Sequence, residues 1–267
     1  MNKSKQAKIS VVFIGSGNLA THLAKAMYTT GYSIEQIYSR TIDSAKVLAE
    51  AVDAKYTNQI DSISKSATIY ITALTDEALV DLVSELTEGR EQGLWVHTAG
   101  SVPISLWKEH CSHYGVLYPM QTFSKKKEVV FKEIPVFIEA STPSDLELLN
   151  GIAKTLTEKV YEASSEQRKS LHLAAVFACN FTNHMYALAS DLLKDNDLPF
   201  EVLLPLIDET AQKVHQLKPN EAQTGPAIRN DKEVMDDHLD LLYKYPNLKH
   251  IYKEISKSII NSKAKNK

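Results

Sequence analysis

Six residues near the start of the chain, Gly15-Ser16-Gly17-Asn18-Leu19-Ala20, have the spacing G-x-G-x-x-A. In this motif the first glycine allows a tight turn, the second lets the backbone approach a pyrophosphate, and the small last residue lets strand and helix pack closely. A β-branched run at residues 9–14 predicts a buried strand before the motif, and apolar residues at helical spacing predict a helix after it that ends near Gly31. We therefore expect residues 15–19 to bind the phosphates of a dinucleotide at the start of this helix. The alternative is a glycine turn that only joins strand to helix.

The next predicted strand, residues 34–38, ends in Ser39-Arg40-Thr41. Dinucleotide sites that use NAD usually place an acidic residue here, where it binds the ribose hydroxyls. A planar guanidinium between two hydroxyls instead suits the 2′-phosphate of NADP. This pattern favours NADP as the cofactor, the alternative being a surface arginine that falls at this position by coincidence.

Further polar side chains follow the ends of later strands, where ligands bind in open parallel sheets. Residues Ala73, Leu74 and Thr75 follow a strand at 68–72 and are expected to lie beside the cofactor, with Asp76 capping the next helix. A strand at 94–97 ends in His97-Thr98-Ala99-Gly100-Ser101, and we expect His97 to face the nicotinamide or to form a structural hydrogen bond. Thr98 and Ser101 are predicted to bind cofactor or substrate, or to cap a helix.

Strands and helices alternate through residues 1–162, which predicts an α/β domain with a doubly wound, mostly parallel Rossmann sheet. From residue 163 to 267 the pattern is all-helical. Ser164 and Gln167 form a candidate capping box for a helix that reaches about residue 195, with residues 171–185 expected to be buried. Because this helix is too apolar for its short neighbours to cover, we expect a homodimer through the helical domain.

The long helix also carries candidate catalytic side chains. His172 and Asn180 are eight residues apart and lie roughly on one face, and His184 is four residues further on. Polar groups on an apolar helix need partners, so His172 and Asn180 indicate either a substrate site or a buried network. For His184 an interface or core position is favoured. Later in the chain, Thr224, Gly225 and Arg229 lie in a shaped loop, where Arg229 could hold an anionic substrate or pair with a nearby Asp.

The chain resembles proteins that combine a Rossmann-like domain with the DUF2520 domain, which are distant relatives of pyrroline-5-carboxylate reductase and of the 6-phosphogluconate and 3-hydroxyisobutyrate dehydrogenases. The matching segments cover nearly the whole chain and are residues 15–20, 39–41, 97–101, 118–123, 172–175, 180–181 and 224–231. The resemblance implies an NADP-dependent oxidoreductase. In the related hydroxyacid dehydrogenases the long helix carries a Lys and an Asn that act on the substrate. This sequence has no Lys at the matching place and offers His172 with Asn180 instead.

Composition limits the other function classes. The 267 residues carry a net charge of −3, which gives no reason to expect nucleic acid or a membrane surface as a partner. No apolar stretch approaches the ~20 residues of a membrane span, and residues 1–8 are too polar for a signal peptide, so we expect a cytoplasmic protein. The chain has two cysteines, and its one small His-Cys cluster, at residues 110–113, lacks a second cluster at ligand spacing. We therefore predict no metal site. The run Lys125-Lys126-Lys127 is interpreted as a solvated loop rather than a phosphate-binding patch.

The preferred function is therefore an NADP(H)-dependent oxidoreductase for a small, polar, anionic molecule. His172 is the favoured proton donor, with His97 as the other candidate, Asn180 orients the substrate and Arg229 binds its anionic group. The alternative is a non-catalytic protein that senses NADP(H) or acts as a scaffold, because the catalytic lysine of the related enzymes is missing.

Overall fold

The first strand, β1 (Ser10–Ile14), lies in the middle of an eight-stranded sheet in this computed structural model, which describes residues 9–265. The predicted polar segment at residues 1–8 lies outside the described residues. The other strands are β2 (Ser33–Tyr38), β3 (Lys55–Thr57), β4 (Ile69–Thr72), β5 (Leu94–His97), β6 (Tyr114–Pro119), β7 (Val136–Ala140) and β8 (Val160–Glu162).

The strands are arranged in the order β3-β2-β1-β4-β5-β6-β7-β8. All neighbouring pairs are parallel except β6 and β7, which run antiparallel. From β1 the chain first adds strands on one side, out to β3, and then returns to add β4 to β8 on the other side. This arrangement confirms the predicted doubly wound, mostly parallel Rossmann sheet. Ligand sites in such sheets lie at the carboxyl ends of the strands, near the point of reversal.

Helices cover both faces of the sheet. They are α1 (Asn18–Thr29), α2 (Ile42–Ala51), α3 (Asp76–Thr87) and α4 (Pro143–Leu156). Alternate side chains of β1 point to opposite faces, so Val11 and Phe13 pack in one hydrophobic cluster while Val12 and Ile14 pack in the other. The first cluster includes residues of α1, α2 and α4, and the second includes α3 residues and Trp107. Burial on both faces explains the nearly continuous apolar strands.

The predicted long helix consists of three parts. They are α5 (Ser165–Ala175), a π-helical segment (Val176–Phe181) and α6 (Thr182–Lys194). The capping box predicted at Ser164 and Gln167 is present at the start of α5. However, none of the residues 171–185 is buried in the single chain, and Leu173 is 59% exposed. The expected burial is therefore not provided by this chain alone.

The contacts divide the chain between Cys179 and Asn180, later than the boundary at residues 162 and 163 that the sequence predicts. Helix α5 belongs to the first unit because its buried Arg168 pairs with Glu139 on β7. The second unit contains α6, α7 (Leu204–Gln216), α8 (Pro219–Ala222), α9 (Pro226–Arg229), α10 (Lys232–Leu241) and α11 (Pro246–Lys265). This confirms a helical C-terminal region.

Candidate functional site

The glycine motif forms a tight turn at the carboxyl end of β1. Gly15 has a φ of +112°, and its N–H donates to the carbonyl of Tyr38 over 2.8 Å. A Cβ at Gly15 would lie 2.4 Å from the carbonyl oxygen of Ala73, so only glycine fits this position. Ala20 is fully buried where α1 packs on the sheet. The positions of the first glycine and of the alanine therefore match the roles that the motif predicts.

The start of α1 is open to an anion. Its N-cap is Gly17, which has no side chain to accept from the first N–H groups, and the first turn has no acidic residue. A Cβ placed on Gly17 would meet nothing within 4 Å. Uncapped N–H groups and the positive end of the helix dipole together form an anion site.

Helix α3 shows the opposite arrangement. Its N-cap is Thr75, whose hydroxyl accepts from the N–H of Ala78 over 3.4 Å, and Asp76 and Glu77 lie in the first turn. The expectation that Asp76 caps this helix was therefore wrong, since Asp76 is its first residue. Because the α3 terminus already has a side-chain cap and two carboxylates, α1 is the terminus suited to a phosphate.

A cavity of about 300 Å³ opens above the glycine turn. Predicted cofactor residues that line it are Gly15, Ser16, Gly17, Ser39, Arg40, Ala73, Leu74 and Thr75. The lining also includes residues that the sequence reasoning missed, namely Tyr38, Ser44, Ala78, Leu82 and Lys125. The ends of β1, β2 and β4 thus contribute to one cavity.

Four other predicted cofactor residues do not line this cavity. Asn18 and Leu19 are the first residues of α1, and Thr41 is the N-cap of α2. Thr98 is 7% exposed, and its hydroxyl donates to the carbonyl of Thr72 over 3.2 Å. Their roles toward a cofactor stay predictions.

The donors around the cavity suit a dinucleotide phosphate. Arg40 is exposed, and Ser39 and Ser44 line the same cavity. None of the described residues that line the cavity is acidic. A guanidinium with hydroxyls fits a 2′-phosphate, and the cavity lacks the acidic side chain that binds the ribose hydroxyls in NAD sites. The residues present therefore fit NADP.

A second polar group lies at the same carboxyl edge of the sheet. The hydroxyl of Tyr118, near the end of β6, is 3.2 Å from Nδ1 of His172 on α5. The His172 ring also packs against Gly100, where a Cβ would lie 2.7 Å from Nδ1. His172 is half-buried, so its ring is held on two sides and still reaches solvent. Tyr118 was not predicted as a site residue, although it belongs to the segment at 118–123 that carries part of the family resemblance.

Arg168 fixes α5 one helical turn before His172. Its guanidinium donates to the Glu139 carboxylate over 2.5 Å, to the carbonyl of Val102 over 2.6 Å and to the carbonyl of Ala99 over 3.2 Å. The side chain is 1% exposed. Residues four apart share a helix face, so this anchor also determines where His172 lies.

His97, the other candidate proton donor, lies in the core. It is 0% exposed, the N–H of Ala99 donates to its Nδ1 over 3.2 Å, and its ring centroid is 6.2 Å from that of Trp107. Burial is the main cause of a low pKa here and the positive charge of Arg168 adds to it, so that the pKa of His97 falls to about 3 although the backbone of Pro103 acts in the opposite direction. The ring is therefore neutral near pH 7.

Ser101, predicted to bind substrate, donates its hydroxyl to the carboxylate of Asp76. This contact connects the segment after β5 to the first residue of α3. A hydroxyl can accept a further hydrogen bond while it donates one. A substrate contact of Ser101 stays a prediction.

The remaining predicted site residues belong to the second unit. Asn180 and Thr224 are exposed, and Gly225 has a φ of +107° as the N-cap of α9. Arg229 ends α9 and lies 3.8 Å from the Asp231 carboxylate, with 62% of its side chain exposed. A surface pair of this length is weak. The predicted role of Arg229 as an anion ligand therefore stays compatible with its surroundings.

Among the described residues, no group of three or more His, Cys, Asp or Glu side chains could hold a metal ion. Cys111, part of the small cluster at 110–113, has its pKa raised to about 12 by burial and by the charges of Asp145 and Glu91. Within the same part of the chain, no helix is long and apolar enough to cross a membrane.

Comparisons with known families divide the chain into two matches. Residues 10–98 match the family described as NADP oxidoreductase coenzyme F420-dependent. Residues 134–259 match the domain of unknown function DUF2520. A comparison with curated protein sequences finds no match.

Solved structures share the fold over nearly the full chain. The proposed NADP oxidoreductase of Bacteroides fragilis is 56% identical, with a TM-score of 0.92 over 95% of this chain and 98% of that one. The imine reductase of Myxococcus stipitatus in complex with NADP+ is 16% identical, with a TM-score of 0.66 over 96% and 93% of the two chains. The pyrroline carboxylate reductase of Plasmodium falciparum with NADP bound is 13% identical, with a TM-score of 0.58 over 96% and 97%. The last two show the fold alone. The high identity to the Bacteroides fragilis protein shows that this chain belongs to the family of NADP oxidoreductases that carry a DUF2520 domain after the dinucleotide-binding domain.

Proposed function

We propose that the protein is an NADP(H)-dependent oxidoreductase that acts on a small, polar, anionic substrate. One observation carries the proposal. The uncapped start of α1 and the guanidinium of Arg40 belong to a single cavity with no acidic lining residue among those described. Such a cavity offers donors to both the pyrophosphate and the 2′-phosphate of one dinucleotide.

NADP is the cofactor, as it is for the family. The glycine turn accepts the pyrophosphate, and Arg40 with Ser39 and Ser44 takes the 2′-phosphate. When bound, NADPH supplies a hydride from C4 of its nicotinamide. The chain's own residues must orient the substrate and supply a proton.

His172 is the proton donor in this proposal. Its Nδ1 is engaged with Tyr118, which leaves Nε2 as the ring nitrogen that can exchange a proton with a substrate. In the imidazolium the Nδ1–H donates to the Tyr118 oxygen, and in one neutral tautomer the Tyr118 hydroxyl donates to Nδ1. Burial raises the pKa of Tyr118, so its hydroxyl keeps its proton near pH 7. Tyr118 can therefore hold the ring in both protonation states.

The proton balance is then simple. As hydride reaches the carbon of a C=O or C=N group, Nε2 of the imidazolium gives its proton to the oxygen or nitrogen, and the ring becomes neutral. His97 is the less suitable donor, because it is fully buried and its low pKa, about 3, keeps it uncharged near pH 7. We therefore keep His97 as a structural residue that shapes the end of β5.

The substrate contacts are proposed from residue type. Asn180 would orient the reacting group, Arg229 would bind an anionic substituent, and Ser101, Thr224 and Gly225 would contact polar atoms. Arg229 is the most informative of these residues, since a guanidinium and a carboxylate or phosphate form paired hydrogen bonds. The cytoplasmic location stays a prediction.

A homodimer through the helical unit is also part of the proposal. Among the described residues of that unit, only Ala227 and Leu242 are buried apolar side chains. Large apolar side chains there are exposed instead, including Val202, Leu206, Val214 and Leu241. A folded unit with so little core needs further apolar burial, and a second copy of the same surface can provide it.

The test is a fluorescence titration with NADPH and NADH for the wild type, Arg40→Ala and Lys46→Ala. Lys46 is an exposed cation on α2 that does not line the cavity, so it controls for loss of charge alone. We expect the wild type to prefer NADPH, Arg40→Ala to lose at least tenfold in NADPH affinity with little change for NADH, and Lys46→Ala to resemble the wild type.

Two outcomes would contradict the proposal. If neither nucleotide binds the wild type, the glycine turn is only structural. If NADPH binds tightly and no carbonyl or imine substrate in a broad panel causes its oxidation, the non-catalytic sensor or scaffold becomes the better description.

A further inference from the structure

We propose that Lys125, in the turn after β6, is an additional cofactor ligand that binds the pyrophosphate of the dinucleotide. The inference rests on the proposed function, since it requires a dinucleotide in the cavity above the glycine turn. The sequence alone favours a solvated loop for the lysine run at 125–127, and the proposal replaces that interpretation for Lys125. Of the three lysines, Lys125 alone lines the cavity.

The backbone around Lys125 forms a closed turn. The N–H of Lys127 donates to the carbonyl of Ser124 over 3.1 Å, and the N–H of Lys126 donates to the Ser124 hydroxyl over 3.3 Å. Lys125 therefore occupies the second position of a four-residue turn.

This turn is attached to α1, the helix whose start faces the phosphates. Nε2–H of His22 donates to the carbonyl of Ser124 over 2.9 Å. The ring of Phe123 lies 5.6 Å from the His22 ring and 6.3 Å from Phe131, between centroids, and packs against the hydrophobic core. His22 is five residues after the N-cap Gly17, or about 7.5 Å along the helix axis. The turn is therefore held close to the anion site.

The charges around Lys125 leave it available for a phosphate. The cavity has two cationic lining residues, Arg40 and Lys125, and no acidic one among those described. In the described part of the chain, Lys125 makes no ion pair within 4.0 Å, and it is exposed. Removing the ammonium group of Lys125 from water would be unfavourable unless an anion in the cavity paired with it.

The positions of the two cations assign them to different phosphates. Arg40 follows β2, where the adenosine ribose binds in this type of sheet, and its planar group suits the terminal 2′-phosphate. Lys125 belongs to a turn that is hydrogen-bonded to α1, whose N–H groups face the pyrophosphate. An ammonium group is a compact charge with three donors, which suits the non-bridging oxygens of two neighbouring phosphates.

The experiment compares Lys125→Ala with Lys126→Ala, which removes the same charge from the same turn. Dissociation constants are measured for NADPH, NADH, ADP and adenosine 2′-monophosphate at one fixed ionic strength. We expect Lys125→Ala to weaken NADPH, NADH and ADP by about tenfold each and to leave adenosine 2′-monophosphate within twofold, because that ligand lacks the pyrophosphate. Lys126→Ala should stay within twofold of the wild type for all four ligands.

A second variant tests the attachment to α1. His22→Ala removes the donor to Ser124, and it should weaken NADPH and NADH together by a smaller factor than Lys125→Ala. The double variant should bind no more weakly than Lys125→Ala alone, since His22 acts through Lys125.

The results separate this inference from the proposed function. Loss of NADPH affinity alone in Lys125→Ala would assign the residue to the 2′-phosphate and overturn the proposal. Equal effects of Lys125→Ala and Lys126→Ala would show that the overall charge of the turn attracts the cofactor and that Lys125 makes no specific contact. Wild-type affinity in Lys125→Ala would exclude the contact. Failure of the wild-type protein to bind any dinucleotide would instead contradict the proposed function itself.

Discussion

The hydroxyl oxygen of Tyr118 lies 3.2 Å from Nδ1 of His172. The contact connects the carboxyl end of β6 to α5, the first part of the long helical segment. This contact joins residues 54 positions apart. It gives His172 a defined ring orientation at the edge of the sheet where a dinucleotide is expected to bind. A ring held in this way can present its other nitrogen to a substrate without losing the hydrogen bond.

The first prediction separates His172 from Tyr118. With a substrate in hand, His172→Ala should lower kcat by about 10²-fold or more, the usual contribution of a general acid. Tyr118→Phe should lower kcat by a smaller factor, about fivefold to tenfold, because it removes one hydrogen bond and keeps the ring. The dissociation constant of NADPH, measured by fluorescence, should change less than twofold in both variants.

His215→Ala is the matched control, since His215 is exposed near the end of α7. It should keep the wild-type kcat. A His172→Ala variant that loses NADPH binding, or that turns over as fast as the control, would remove His172 from the proposed role.

The second prediction uses Gly100 to displace the same ring without removing it. A Cβ at Gly100 would lie 2.7 to 2.9 Å from three atoms of His172, so the side chain must move. Gly100→Ala should therefore lower kcat while His172 is still present, and overpacking should reduce the free energy of unfolding by about 1–3 kcal/mol. Gly151→Ala is the control, because Gly151 is in α4 and a Cβ there would meet nothing within 4 Å.

Urea unfolding and steady-state kinetics on the same samples distinguish the outcomes. We expect Gly151→Ala to keep activity and to gain stability, as an alanine does in a helix. Full activity in Gly100→Ala would show that the ring position seen here does not matter for turnover.

Much of the fold could be predicted from local sequence patterns. The glycine motif, the apolar strands and the capping box at Ser164 each depend on residues close in the chain, and each is present where it was predicted. The apolar strands also predict burial on both faces, which is why the doubly wound sheet follows from the pattern.

The parts that were missed depend on distant contacts. Nothing near Tyr118 shows that it will meet His172, and a lysine run is typical of solvated loops wherever it occurs. Lys125 lines the cavity, and its turn is bound by His22, about a hundred positions earlier, through the carbonyl of Ser124. The π-helical segment at Val176–Phe181 also has no glycine or proline that would have predicted it.

The third prediction concerns the pH dependence of stability. Burial lowers the pKa of His97 to about 3 in the folded chain, whereas an unfolded chain has a histidine pKa near 6.5. Between these values the unfolded state binds more protons than the folded state, so stability contributed by neutral His97 is fully present above about pH 6.5 and is lost as the pH falls toward 3. The slope should approach about 1.4 kcal/mol per pH unit near pH 5.

His97→Asn tests the source of this slope, because an amide oxygen can accept from the N–H of Ala99 as Nδ1 does and does not titrate. The variant should be less stable at pH 7 and should have a smaller slope between pH 6 and pH 4 in urea unfolding. His215→Asn is the matched control, since His215 is exposed near the end of α7, and it should keep the wild-type slope. An unchanged slope in His97→Asn would show that other groups cause the acid sensitivity.

The last prediction concerns the second copy of the chain. Leu206 on α7 is 63% exposed, and Val202 and Val214 nearby are 57% and 50% exposed. If this surface is covered by a second chain, Leu206→Asp places a carboxylate in an apolar interface and should raise the dimer dissociation constant at least a hundredfold, about 2.7 kcal/mol. Gln212→Asp, at an exposed polar position of the same helix, should leave the dimer intact.

Sedimentation equilibrium gives the mass of each variant, and circular dichroism shows whether the helices persist. A wild-type protein that sediments as a single chain at micromolar concentration would contradict the dimer, and a Leu206→Asp variant that stays dimeric would move the interface to another face of the helical unit.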